Sequence, residues 1–131
     1  MKHTISILVE NKAGVLSRIS GLFSRRGFNI DSLAVGVTEN PEVSRITIVA
    51  DGDDHTAQQL EKQLNKLVDT MKVKTLDDNE LIERELRLIK VSANPAQRSE
   101  ILTLCDVMGA RIKELVRTGV IAIQKGSVTI K

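Results

Sequence analysis

Aromatic residues are almost missing from this chain. It has no tryptophan and no tyrosine, and Phe23 and Phe28 are its only phenyl rings. Small sheets that bind RNA stack bases on exposed aromatics, so a nucleic-acid-binding module is disfavoured. Cysteine is equally scarce. Cys105 stands alone, which excludes an intrachain disulfide framework and fits a reducing compartment. It falls on an apolar helical stripe and reads as a small core residue. The longest apolar runs, such as Val120-Ile121-Ala122-Ile123, are far shorter than the roughly 20 residues that span a bilayer. The N-terminus, Met-Lys-His-Thr-Ile-Ser, lacks the long apolar stretch and small-residue cleavage site of a secretory signal. No membrane association and a cytoplasmic location are expected. A dominant charge is missing too: 19 Lys and Arg stand against 17 Asp and Glu, a net +2, too mild to argue for nucleic acid.

Chemistry-bearing constellations are also wanting. His3 and His55 are the only histidines, and neither has metal-ligand spacing. Asp51, Asp53 and Asp54 resemble half a calcium loop, but the required glycine and downstream glutamate are absent. Capping of the next helix explains them better. Arg25-Arg26 suits the negative end of a helix dipole. No phosphate-binding glycine loop or nucleophile elbow occurs. The expectation is a chain with no catalytic residue and no metal site.

What is present is regular alternation. Ile5, Ile7 and Val9 alternate with Thr4, Ser6 and Leu8, the pattern of a half-buried strand. A helix then opens at Asn11 or at the Ala13-Gly14 step. Val15, Leu16, Ile19, Leu22 and Phe23 form its apolar face, Arg18 lies off it, and Gly27 supplies a left-handed stop. A second strand runs from Phe28 to Val37, with a phase slip at Asp31-Ser32 that predicts a bulge. Glu39-Asn40-Pro41-Glu42 is a hairpin connection, and Ile46, Ile48 and Ala50 mark a third strand. Asp53 or Asp54 caps a helix carrying Ala57, Leu60, Leu64, Leu67 and Val68. A fourth strand covers about Met71 to Leu76.

This order, βαββαβ, is the ferredoxin-like arrangement of the α+β class, an antiparallel sheet with both helices on one face. Residues 1–77 form this first domain and 78–84 a polar linker. Residues 85–131 are a shortened second α+β unit. There Leu86, Leu88, Ile89 and Val91 suggest a strand. A helix beginning at Pro95 carries Ile101, Leu104, Cys105 and Met108 and ends at Gly109. Asn94 and Gly109 echo Asn11 and Gly27. Val116, Val120, Ile121, Ile123, Val128 and Ile130 then mark one or two strands, without a further helix.

The junction from Asn11 to Leu16 is the candidate binding site. A helix start offers unpaired N–H groups and a positive dipole end, which suit a small carboxylate. Gly14 lets the backbone approach a ligand closely, and Asn11 brings an amide donor and acceptor. Asn29 could aim a second amide at the same place or at a partner subunit. An ordinary capped turn is the bland alternative, and spacing alone leaves the two about even.

The run Asn11-x-x-Gly14-Val15-Leu16-Ser17-Arg18-Ile19-x-Gly21-Leu22-Phe23-x-Arg25-Arg26-Gly27-Phe28-Asn29-Ile30-x-Ser32-Leu33 resembles the ACT domain of acetolactate synthase small (regulatory) subunits. Ser44-Arg45-Ile46-Thr47-Ile48, Gln63-Leu64-x-Lys66-Leu67, Glu83-Arg84-Glu85-Leu86, Lys90-Val91 and Val116-Arg117-Thr118-Gly119 continue it over nearly the whole chain. The resemblance implies a non-catalytic, homodimeric subunit that activates a catalytic subunit. It would also confer feedback inhibition by valine or a related branched-chain amino acid. Thiamine diphosphate, FAD and magnesium would belong to that catalytic partner, with no cofactor in this chain. Asn11, Lys12, Ala13, Gly14, Val15 and Leu16 would hold the effector, closed by Asn29 and Ile30 of the neighbouring subunit. One departure is plain: about one strand–strand–helix portion of the family's second unit is missing, and Lys125 stands where an arginine is usual. A stand-alone ACT-type sensor regulating a different enzyme or a transcription factor is the alternative reading.

Overall fold

The alternation at the start of the chain becomes a strand with one dry face. The computed structural model describes residues 1–77, 79, 81–115 and 120–130, with residues 85, 114, 115 and 120–130 described by backbone alone. β1 spans Lys2–Glu10, and its Ile5, Ile7 and Val9 are buried. α1 (Val15–Arg25) buries Val15, Ile19, Leu22 and Phe23, the predicted stripe less Leu16. Gly27 takes φ 72° and turns the chain into β2 (Ile30–Val37). β3 (Val43–Asp51), α2 (Asp54–Leu64) and β4 (Thr70–Leu76) follow.

The four strands pair antiparallel throughout in the order β2-β3-β1-β4. Residues from both helices join Ile5, Ile7, Val9, Ile46, Ile48, Ala50 and Val73 in one core, so α1 and α2 cover the same face. Burying each large aliphatic side chain there contributes about 1.5–3 kcal/mol. The bulge expected at Asp31-Ser32 is present. Ile30 opposes Ala50 and Ser32 opposes Val49, leaving Asp31 as the extra residue. Its effect is to return Leu33 and Val35, opposite Ile48 and Ile46, to the helix-covered side. That side is not covered at the sheet's edge: Leu33, Val35 and Val37 are 43%, 48% and 60% exposed.

Asp53 caps α2, its carboxylate accepting the Thr56 N–H at 2.7 Å. That hydrogen bond holds the Asp53 carboxyl below the ordinary carboxylate range. A depressed folded-state pKa contributes stability above the unfolded pKa, and the contribution is lost as pH falls through the folded value. Asp53→Ala is therefore expected to lower the melting temperature at neutral pH, the two melting curves converging in acid. Curves that stay equally far apart down to low pH would show that the cap is not ionic.

The expected length of α2 needs correction. The helix stops at Leu64, and i→i−3 bonds (Lys66 N–H to Gln63, Leu67 N–H to Leu64) tighten the chain beyond it. Leu67 still packs on the core, but the changed pitch throws Val68 outward, 96% exposed.

The chain divides into two compact units, Met1–Glu80 and Leu81–Lys131. In the second, β5 (Ile82–Ser92), α3 (Pro95–Met108), β6 (Arg111–Leu115) and β7 (Val120–Ile130) form an antiparallel sheet ordered β5-β7-β6. β5 begins inside the stretch expected as linker. Asn94 and Gln97 form a reciprocal capping box, with Pro95 in the first turn, and Gly109 closes α3 at φ 65°. Cys105 is buried among Val91, Ile101, Ala110 and Ile112. Leu104 and Met108, expected on the same stripe, are exposed, while Ile101 and Cys105 of that stripe pack against Val91 and Ile112 of the sheet. Asp78, Glu80 and the Val116-Arg117-Thr118-Gly119 motif lie outside the described residues. Among those described, no helix is long and apolar enough to cross a membrane.

Candidate functional site

α1 begins on a residue that cannot cap it. Gly14 occupies the N-cap position at φ 86°, in the left-handed region, and no side chain closes the helix end. α2 and α3 have their caps in Asp53 and Asn94; this end is left open. The Val15 N–H reaches Lys12 O at a long 3.4 Å, and the Arg18 N–H makes the first full helical bond, to Gly14 O at 3.0 Å. Among the described residues, the N–H groups of Ala13, Gly14, Leu16 and Ser17 donate to nothing. A concentration of free donors at the positive end of a helix is suited to a carboxylate.

The loop before α1 is held firmly. The Asn11 N–H donates to Glu42 O at 2.7 Å, and the Asn11 side-chain amide donates to Pro41 O at 2.8 Å. The Glu10 N–H donates to Asp69 O at 2.9 Å. These bonds alter the expected part of Asn11. One N–H of its amide serves the β2–β3 hairpin, which leaves its oxygen and its second N–H open. Lys12 bonds the Glu10 carboxylate at 2.6 Å. That bond raises the Lys12 ammonium above the ordinary lysine range, and Asp69 and Glu42 act in the same direction. Ala13 and Leu16 are exposed, whereas the Val15 side chain is buried in the core.

Asn29 and Ile30 lie elsewhere. Ile30 pairs with Ala50, which pairs with His3 near the start of β1; Val37 pairs with Ser44, opposite Val9 at its end. The first residue of β2 is therefore at the far end of the sheet from Gly14, about 23 Å away along the strand at the usual rise per residue. Within the chain the Asn29 amide donates to Asp31, at 3.0 Å. The eight predicted residues are thus two groups, one at each end of the edge strand.

Arg18 was not among them. Its Nε and Nη2 both donate to Asp69 Oδ2, at 2.7 and 2.6 Å, and the Asp69 side chain is only 18% exposed. A Cβ built on Gly14 would stand 3.3 Å from Arg18 Nη1. The partner is 51 residues away in sequence, so helical periodicity showed only that Arg18 lies off the apolar stripe. Among the described residues, no cluster of His, Cys, Asp or Glu is placed to hold a metal.

A four-stranded antiparallel sheet with two helices on one face and an open glycine-led helix start define the first unit as an ACT-type domain. The family of AHAS small subunit-like ACT domains matches residues 5–72, and the family described as the small subunit of acetolactate synthase matches residues 84–113. The chain belongs to the acetolactate synthase small-subunit family. It is 55% identical over 117 residues to a probable acetolactate synthase small subunit of Archaeoglobus fulgidus, covering 89% of this chain and 73% of that one. The acetolactate synthase small subunit of Mycobacterium avium is 48% identical over 110 residues, covering 84% of this chain and 66% of its own length. The crystal structure of the Thermotoga maritima small subunit superposes with a TM-score of 0.87 at 40% identity, covering 96% of this chain and 78% of that one. The chain thus spans about two thirds to three quarters of the relatives it matches.

Proposed function

We propose that the chain is the non-catalytic regulatory subunit of acetolactate synthase, that it activates the catalytic subunit, and that it delivers feedback inhibition by valine or a related branched-chain amino acid. Thiamine diphosphate, FAD and magnesium belong in this reading to the catalytic partner, and the assembly works in the cytoplasm. The domain plan is an effector-binding unit over residues 1–77, a connection that ends before β5 begins at Ile82 in place of the expected 78–84, and a shortened unit from β5 onward in place of 85–131.

The observation that carries the proposal is the pairing of the open α1 start with the uncovered edge strand. The amides of Ala13, Gly14, Leu16 and Ser17 supply a carboxylate site, and Leu16 an apolar contact. Leu33, Val35 and Val37 form an apolar edge that a second copy can cover. A twofold axis pairing β2 with its counterpart antiparallel lays the partner's first β2 residues beside this protomer's last ones. That operation carries the partner's Asn29 and Ile30 toward the Asn11–Leu16 loop. The effector then sits between protomers, and its binding is coupled to their association.

Calorimetric titration of the full chain with valine, leucine and isoleucine, alone and with the catalytic subunit, tests the reading. Saturable binding by the chain, together with effector-dependent inhibition of the assembled enzyme, is expected. Val35→Lys places a charge in the apolar edge. It is expected to yield monomers in analytical ultracentrifugation and to lose effector binding at the same time. A Val35→Lys chain that stays dimeric and binds valine normally would remove β2 from the interface.

A further inference from the structure

Resting on that effector reading, we infer that Arg18 determines the site's preference for a carboxylate, and that Asp69 is its positioning residue. Three observations meet at Gly14. The amides around it are unpaired among the described residues. The guanidinium is fixed by two of its nitrogens on Asp69 Oδ2. The third nitrogen, Nη1, takes no acceptor among the described residues and lies beside the Gly14 Cα, where a Cβ would be only 3.3 Å from it. A guanidinium held by one edge presents the other in a fixed direction. The free edge here faces the same few atoms as the free amides.

The arrangement also answers an electrostatic difficulty. Glu10, Glu42 and Asp69 all lie close enough to act on the Lys12 ammonium, so the loop is set among carboxylates that would repel an anionic guest. Lys12 offsets Glu10 at 2.6 Å and Arg18 offsets Asp69 at 2.6 Å. With Glu10 and Asp69 offset in this way, Glu42 is the carboxylate of the three that the two pairs leave bare, and the amides and the spare guanidinium edge are the groups that favour an anion against it. Asp69 is anchored in turn: its carbonyl accepts the Glu10 N–H, which joins the guanidinium's support to the end of β1. Arg18 is therefore aimed by backbone that the effector loop itself shares.

The test compares valine with valinamide, which keeps the side chain and ammonium but lacks the carboxylate, in calorimetry on the full chain. Arg18→Gln is expected to weaken valine at least about tenfold, the scale of one charge-assisted hydrogen bond, and to leave valinamide unchanged. Asp69→Asn, which leaves the Arg18 charge in place but loosens its hold, should give a smaller selective loss. Arg18→Gln with Asp69→Asn removes the uncompensated acid and guards against loss of fold; valine should remain weakened in it. Unchanged valine affinity in Arg18→Gln, or equal losses for valine and valinamide, would overturn the role of Arg18 while leaving the effector site standing. Absence of valine, leucine and isoleucine binding by the wild-type chain, alone and with its catalytic subunit, would overturn the effector reading and this inference with it.

Discussion

Gly14→Asp is expected to abolish the response to valine. The backbone there has φ 86°, which glycine adopts freely and an aspartate adopts at a cost of about 1–2 kcal/mol, so the fold should survive. The new Cβ would point at Arg18, 3.3 Å from Nη1. The added carboxylate would take the guanidinium edge and the amides that the effector's own carboxylate needs. Placing like charges together in a site costs several kcal/mol, so the affinity should fall by more than about a hundredfold. Gly14→Ala separates charge from shape: it carries the left-handed strain and a tight contact with the guanidinium, 3.3 Å from Nη1, but no anion. It should lose stability and keep measurable valine binding. Calorimetry on both variants, with inhibition curves on the assembled enzyme, decides the matter. Gly14→Asp binding valine like wild type would place the effector elsewhere.

Phe23→Ala should be the most damaging single truncation in the first unit. Phe23 is fully buried and meets Phe28 edge to face, with centroids 6.4 Å apart and rings inclined at 74°. It joins α1 to the chain that leaves it for β2, and its backbone carbonyl accepts the Phe28 N–H at 3.0 Å. Emptying such a position costs about 3–5 kcal/mol, from lost transfer energy and the cavity left behind. A single small domain commonly has only about 5–15 kcal/mol in all. With no tryptophan or tyrosine in the chain, unfolding has to be followed by far-UV circular dichroism. The urea midpoint of the first unit should fall by a large fraction of its wild-type value. A shift below about 1 kcal/mol would mean that the cavity collapses around its neighbours.

Most of the first unit was legible because its signals are local. Alternation at Ile5, Ile7 and Val9, a helical stripe ended by Gly27, and Asp53 before Ala57 each act over a few residues. Even the slip at Asp31-Ser32 could be read, since Phe28 and Ile30 are out of phase with Leu33, Val35 and Val37. Helical spacing misleads at two places. Val68 keeps the spacing of α2 but follows a change of pitch, and Leu104 and Met108 belong to a helix with apolar residues on two sides. The candidate loop before α1 stands out in the sequence, but its wiring does not. Asn11 reaches the carbonyl of Pro41 and Arg18 the carboxylate of Asp69, and no periodicity records a partner 30 or 51 residues away. Topology alone separated Asn29 and Ile30 from Gly14.

The uncovered rim at β2 has a consequence for handling as well as for regulation. A strand with free backbone groups and aliphatic side chains is a template for any other extended chain, and aggregation begins at such rims. Occupation by a like neighbour removes the hazard by mass action, so dilution should make the material less stable and more adhesive. Solubility and assembly would then be one property read at two concentrations.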